Sequence, residues 1–192
     1  MNTNMLLQGK NLLLRSLFLL LPFLLSNVAN AQIELIASGG GFENATNTFG
    51  ANGWSTALPG SFRQWRVGNV AGASSGTNSA YVGTTTAYNG DGAVSVMHFY
   101  RDITIPALAY GVKIRFALKE IKTDAGNDFF RVYTTTPDNT PVSGVVPGAG
   151  YTMRFENTSV TLPNFYSVPP INLNDLQSTD PVTVRLVFTY IS

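Results

Sequence analysis

The chain has 192 residues, with twelve Lys and Arg against eleven Asp and Glu, one histidine and no cysteine. Near-neutrality without a basic run excludes an electrostatic footprint for nucleic acid or for an anionic membrane surface. The lack of cysteine excludes disulfides, thiol nucleophiles, Cys-ligated zinc and iron–sulfur clusters; one domain of this size buries roughly 70% of its unfolded surface without such staples.

The amino-terminal stretch has the three parts of a secretory signal peptide. Lys10 and Arg15 form a basic start, Leu17 to Leu25 an apolar run broken by Pro22, and Ala29-Asn30-Ala31 a small-residue site. The run is too short for a membrane span, which needs about 20 apolar residues. Cleavage is expected after Ala31, giving a signal peptide over 1–31 and one domain over 32–192. It removes two basic residues and no acidic one, leaving ten against eleven. Export without cysteine points towards a bacterial source.

After residue 31 helical periodicity is scarce, and short runs of Val, Ile, Thr, Tyr and Phe alternate with Gly, Pro, Asn and Asp. That pattern predicts an all-β domain. In chain order, weaker strands are expected at Ile33 to Ala37, Gln64 to Val67 and Ser79 to Val82. Ala93 to Ile105 comes next, with Met97, Phe99, Ile103 and Ile105 on one side and Val94, Val96, His98, Tyr100 and Asp102 on the other. Val112 to Ile121 puts Val112, Ile114, Phe116 and Leu118 inward; after a turn at Thr123 to Asn127, Phe130 and Val132 resume an inward face, which reads as a hairpin. Thr158 to Leu162 and Phe165 to Leu173 succeed it, the second expected at an edge or with a bulge because Pro169 and Pro170 lack amide hydrogens. Val182 to Tyr190 is the clearest strand, one face core and the other mostly solvent. With long loops at Val70 to Asn78 and Thr134 to Gly150, these runs predict two packed antiparallel sheets, a jelly-roll β-sandwich.

An ordered set of short motifs runs through this domain: Gly41-Phe42-Glu43, Gly53-Trp54, Trp65-Arg66-Val67-Gly68, Ser79-Ala80-Tyr81-Val82, His98 to Ile103, Asp128 to Tyr133 and Val184 to Phe188. The set, covering nearly all of residues 39 to 190, resembles the jelly-roll module, related to MAM and cleaved-adhesin domains, of secreted Bacteroidota surface proteins. The resemblance implies an adhesive module joined to others and to a carboxyl-terminal signal for type IX secretion. In that family a polar loop and one more strand, carrying an Asp-Asn pair, succeed the last motif, whereas this sequence ends at Ser192. The expectation is therefore a sandwich lacking its last strand in a fragment of a longer secreted protein; the alternative is that another part of this chain supplies the closing strand. A product ending at Ser192 would stop in the periplasm.

Catalytic patterns are scarce. His98 is the sole histidine, no Gly-x-Ser-x-Gly elbow accompanies it, and an HExxH zinc site needs two. Glu120, Asp124 and Asp128 flank a turn instead of lining one strand face as a glycosidase pair would. Calcium is the candidate cofactor, since loops of secreted sandwiches supply carboxylate and carbonyl oxygens. Its candidate ligands are Glu43, which the resemblance associates with a structural ion, and Asp124 with Asp128. For a glycan, the polar strand face of His98, Tyr100 and Asp102 is the candidate site, with Trp54, Trp65, Tyr81 and Tyr88 as stacking platforms, the two tryptophans alternatively read as core. Asn44-Ala45-Thr46 and Asn157-Thr158-Ser159 fit the glycosylation acceptor pattern. The function expected is a non-catalytic extracytoplasmic binding or adhesion module for a glycan or surface protein. The alternatives are a structural spacer and a hydrolase using Glu120 or Asp128.

Overall fold

The computed structural model describes residues 35–36, 40–44, 46–58, 64–84, 87, 96–120, 128–157 and 161–192. The chain divides into two units, Met1–Glu34 and Leu35–Ser192, and every described strand belongs to the second. The expected signal peptide and its cut after Ala31 lie outside the described residues, as do Tyr88 and Asp124.

The second unit is an antiparallel all-β sandwich. One layer is a five-stranded sheet in the order β1 (Ser55–Ala57), β4 (Val96–Ile105), β11 (Val182–Ile191), β7 (Phe129–Thr135) and β8 (Thr152–Asn157). The facing elements are three two-stranded ladders: β2 (Gln64–Gly68) with β3 (Ser79–Gly83), β6 (Ala117–Glu120) with β9 (Leu162–Ser167), and β5 (Lys113–Ile114) with β10 (Ile171–Asn172). The last two ladders form one interrupted ribbon. The amides of Val168 and Leu173 bridge the gaps by donating to the Phe116 and Val112 carbonyls at 3.0 and 2.9 Å. Pro169 and Pro170, which have no amide hydrogen to give, fall in the break between β9 and β10.

Alternation sets the core. Met97 and Phe99 of β4, Phe130 and Val132 of β7, and Leu186, Phe188 and Tyr190 of β11 meet Trp65 and Val67 of β2, Val82 of β3, and Ile114 and Leu118 of the ribbon. Phe99 is at the centre. It stacks on Phe188 with ring centres 4.7 Å apart and meets Trp65 edge-on at 4.8 Å and Trp54 edge-on at 5.2 Å. Each such pair adds about 0.5–1.5 kcal/mol beyond the area it buries. The Trp65 indole N–H also donates to the Met97 carbonyl at 3.1 Å, fastening one layer to the other.

Two expectations change. The stretch from 112 to 132 is not a hairpin: β6 pairs with β9, and β7 with β8 and β11, so the two strands lie in different layers. Two strands facing one core from opposite sides carry the same alternation as two paired strands, which is why the pattern alone misleads. Nor is the outer face of β11 open to solvent, because Arg185, Val187 and Thr189 are as buried as the inward set. This strand lies inside its sheet, paired to β4 along one side and β7 along the other.

Candidate functional site

The polar face of β4 carries three of the residues expected to meet a ligand, and the fold buries His98, half-buries Tyr100 and leaves Asp102 partly exposed. Residues 136–151, rich in Pro, Gly and Val, leave β7, cross the outer face of the sheet and return as β8. This strap is pinned at several points. The Gly144 amide donates to the Val96 carbonyl at 2.8 Å, and His98 Nε2 lies 3.1 Å from the Val142 carbonyl. A carbonyl only accepts, so Nε2 carries the proton and Nδ1 is left to accept from the Thr189 hydroxyl, 2.9 Å away. His98 is 0% exposed, and burial lowers its pKa below 6.5, only partly opposed by the bonds to the strap backbone.

Tyr100 and Asp102 serve the same closure. Asp102 receives the Arg185 guanidinium through two bonds, 2.7 Å from Nε and 2.9 Å from Nη2, and Tyr100 presents its ring 4.9 Å from the guanidinium carbon. Arg185 then reaches the strap, donating to Thr140 Oγ1 at 2.8 Å and to the Asn139 carbonyl at 3.4 Å. The bonds to Asp102 raise the Arg185 pKa. The three residues expected to face a ligand thus hold a loop against a sheet.

Among the described residues, the candidate calcium ligands Glu43 and Asp128 and the hydrolase candidate Glu120 are held within the protein. Glu43 accepts from the backbone amides of Thr77 and Asn78 at 3.0–3.1 Å. That contact requires glycine at 76, where φ is +73° and a Cβ would lie 2.5 Å from Glu43 Oε1. Glu120 and Asp128 are both buried, and the Asn157 side-chain amide donates to Glu120 Oε2. Among the described residues no three His, Asp or Glu side chains converge.

Trp54, 5% exposed, is core: its N–H donates to the Gly40 carbonyl at 2.9 Å and its ring lies against Phe42, Phe99 and Phe188. Trp65, 7% exposed, is core on most of its surface but also lines an open groove of about 490 Å³. The groove lies among residues 47–50, β1 and the β2–β3 ladder. Its apolar lining comes from Phe49, Leu58, Trp65, Val67 and the Tyr81 ring; Asn47, Thr48, Thr56 and Arg66 supply polar groups. The volume falls in the range of small-ligand sites.

These walls are set before any ligand arrives. The buried Asn52 donates from Nδ2 to the Thr48 carbonyl at 2.7 Å and accepts the Asn44 amide at 3.0 Å, holding both residues in place. Gly53, at φ +76°, ends the 3₁₀ turn Gly50–Asn52 with its amide on the Gly50 carbonyl. Asn47 Oδ1 accepts from Asn78 Nδ2 at 3.0 Å, Arg66 Nε donates to the Gly83 carbonyl at 3.1 Å, and the Tyr81 hydroxyl donates to the Thr84 carbonyl at 3.3 Å. Walls held this way lose little freedom on binding. Of the lining residues, the sequence marks Trp65 and Tyr81 as candidates for ligand contact; the rest escape it, since the groove is assembled from four separated segments with no local motif.

Comparison with protein-family models, with curated proteins and with solved structures finds no match for this chain.

Proposed function

We propose that residues 35–192 are a non-catalytic binding module of an exported protein and that the groove beside Trp65 takes a glycan. The observation that carries this reading is the groove's make-up: aromatic and apolar side chains set among amide, hydroxyl and guanidinium groups. Sugars present both apolar ring faces and polar edges, and such walls match both. Export is carried in the proposal by the amino-terminal pattern, and attachment to a larger adhesive surface protein by the motif resemblance. A structural spacer is the second reading, favoured by how completely Glu43, Asp102 and Arg185 are engaged within the protein.

Calorimetric titration with a panel of soluble polysaccharides tests the proposal. At least one should bind saturably to the wild type. Thr56→Trp, which fills the groove from an exposed strand position, should abolish that binding, whereas Tyr100→Ala, under the strap, should leave it within about twofold. No saturable binder in the panel would leave the spacer reading.

A further inference from the structure

We propose that Arg101 is the centre of an oxyanion site that takes a carboxylate, sulfate or phosphate group beside Trp54. The site is separate from the groove, which none of Arg101, Gly53 and Trp54 lines. Arg101 stands in the inward row of β4 with Met97, Phe99, Ile103 and Ile105, and it is the one member of that row that is not buried. Its place interrupts the core. Met97, Phe99 and Leu186 belong to one buried cluster and Ile103, Ile105 and Val184 to another, and Arg101 sits opposite Leu186 at the break between them. An apolar side chain there would join the two.

The donors of Arg101 set it apart. Each of the other buried or half-buried arginines among the described residues gives a proton to an acceptor of the protein: Arg66 to the Gly83 carbonyl, Arg131 to Glu156, Arg154 to Thr134 and Asp175, and Arg185 to Asp102. Among the described residues Arg101 has no acceptor and no ion-pair partner. Asp102, next to it in sequence, faces the other side of the sheet and is taken by Arg185. The guanidinium carbon of Arg101 lies instead over the Trp54 ring, 5.9 Å from its centre. That contact uses the face of the guanidinium and leaves the N–H donors, which lie in its plane, for a ligand. Gly53 keeps the flank clear: its φ is +76°, and a Cβ there would stand 3.4 Å from Cζ and Nη1. A half-buried guanidinium without an acceptor is costly, and the paired oxygens of an oxyanion meet its fork through charge-assisted bonds. The ring beneath it limits the rotamer freedom lost on binding.

Magnetic-resonance titration with sodium acetate, sulfate and phosphate, each against sodium chloride at matched ionic strength, tests the site and separates the three sources of the oxyanion. At least one should shift the Arg101 Nε–H resonance saturably, at a concentration about tenfold lower than it shifts that of the exposed Arg115. The Trp54 indole N–H should follow, while that of Trp65, bonded to the Met97 carbonyl, stays in place. Arg101→Met should lose the Trp54 response and unfold at the same urea concentration as the wild type or a higher one, because the new side chain joins the two clusters. Arg101→Lys keeps the charge without the fork and should need about tenfold more anion for the same Trp54 shift. Arg101 and Arg115 responding alike, or a Trp54 response that survives in Arg101→Met, overturns the site. A clearly lower urea midpoint for Arg101→Met makes the arginine a structural clamp on Trp54 and overturns it too. Each of these results leaves the glycan reading of the groove untouched.

Discussion

The two faces of β11 are buried to a similar degree and by opposite means. Val184, Leu186, Phe188 and Tyr190 look into the inter-sheet core, where Phe99, Trp65 and Phe130 supply ring contacts. Arg185, Val187 and Thr189 look the other way, towards a loop held by an ion pair, a histidine and a few backbone bonds. Cooperativity is distributed accordingly. An apolar interior is lost only when the sheets separate, whereas a polar latch gives way locally and leaves the sandwich folded. The outside of the strap is itself apolar at Val142, Val145 and Val146, so its hold on the sheet comes from the Gly144 amide, backbone carbonyls and a few polar side chains.

Removing a ring from the core tests the first half of the contrast and should have the greatest effect. Phe99→Ala deletes the stack on Phe188 and the edges of Trp54 and Trp65, with an expected cost of about 3–5 kcal/mol. Urea unfolding should show the whole transition moving to lower denaturant as one event. A variant that instead unfolds in two steps would mean that the core and the outer face are separable units.

That core was legible because alternation is a local property. Met97 and Phe99 in β4, Phe130 and Val132 in β7, and Leu186 and Phe188 in β11 each declare an inward side within a few residues. Which sheet a strand joins is not local, as the 112–132 stretch makes plain: Leu118 and Phe130 face the same core from opposite layers. The strap was invisible for a related reason. Residues 136–150 carry loop composition, and nothing in them signals that the Val142 carbonyl will meet a ring 44 positions earlier. The groove shares this trait, since Thr48, Thr56, Arg66 and Tyr81 belong to separate segments. Glu43 stood out as an acid after a glycine run; its use as a clamp depends on the distant Gly76.

A middle-sized effect is expected from the latch. Arg185→Met keeps the stem against the Tyr100 ring and removes the bonds to Asp102, Thr140 and Asn139. Asp102 is partly exposed and regains water, so the cost should be about 1–2 kcal/mol, below that of a fully buried pair. The sharper readout is where the loss appears. Native-state hydrogen exchange should speed up at the Gly144 amide, which bonds to Val96, while amides between β4 and β11 keep nearly wild-type protection. Uniform acceleration across the sheet would erase the distinction between latch and core.

The weakest effect should be the pH dependence that His98 gives the strap. Burial holds its pKa below 6.5, so between the two values the unfolded chain binds a proton that the folded one refuses. The contribution is therefore complete above about pH 6.5 and is lost as pH falls through the lowered folded value. The imidazole bonds to the Thr189 hydroxyl and the Val142 carbonyl, and the neighbouring Asp102 carboxylate is already engaged by Arg185, so neither contact offers the added proton a counter-charge. Asp175, whose pKa Arg154 holds down, acts in a separate window below 3.8. Urea midpoints from pH 7.5 to 5 should fall in the wild type and stay flatter in His98→Gln, with Gly144 exchange tracking the wild-type fall. Parallel slopes in the two proteins would assign the acid sensitivity to other groups and leave His98 as a neutral bridge between strap and sheet.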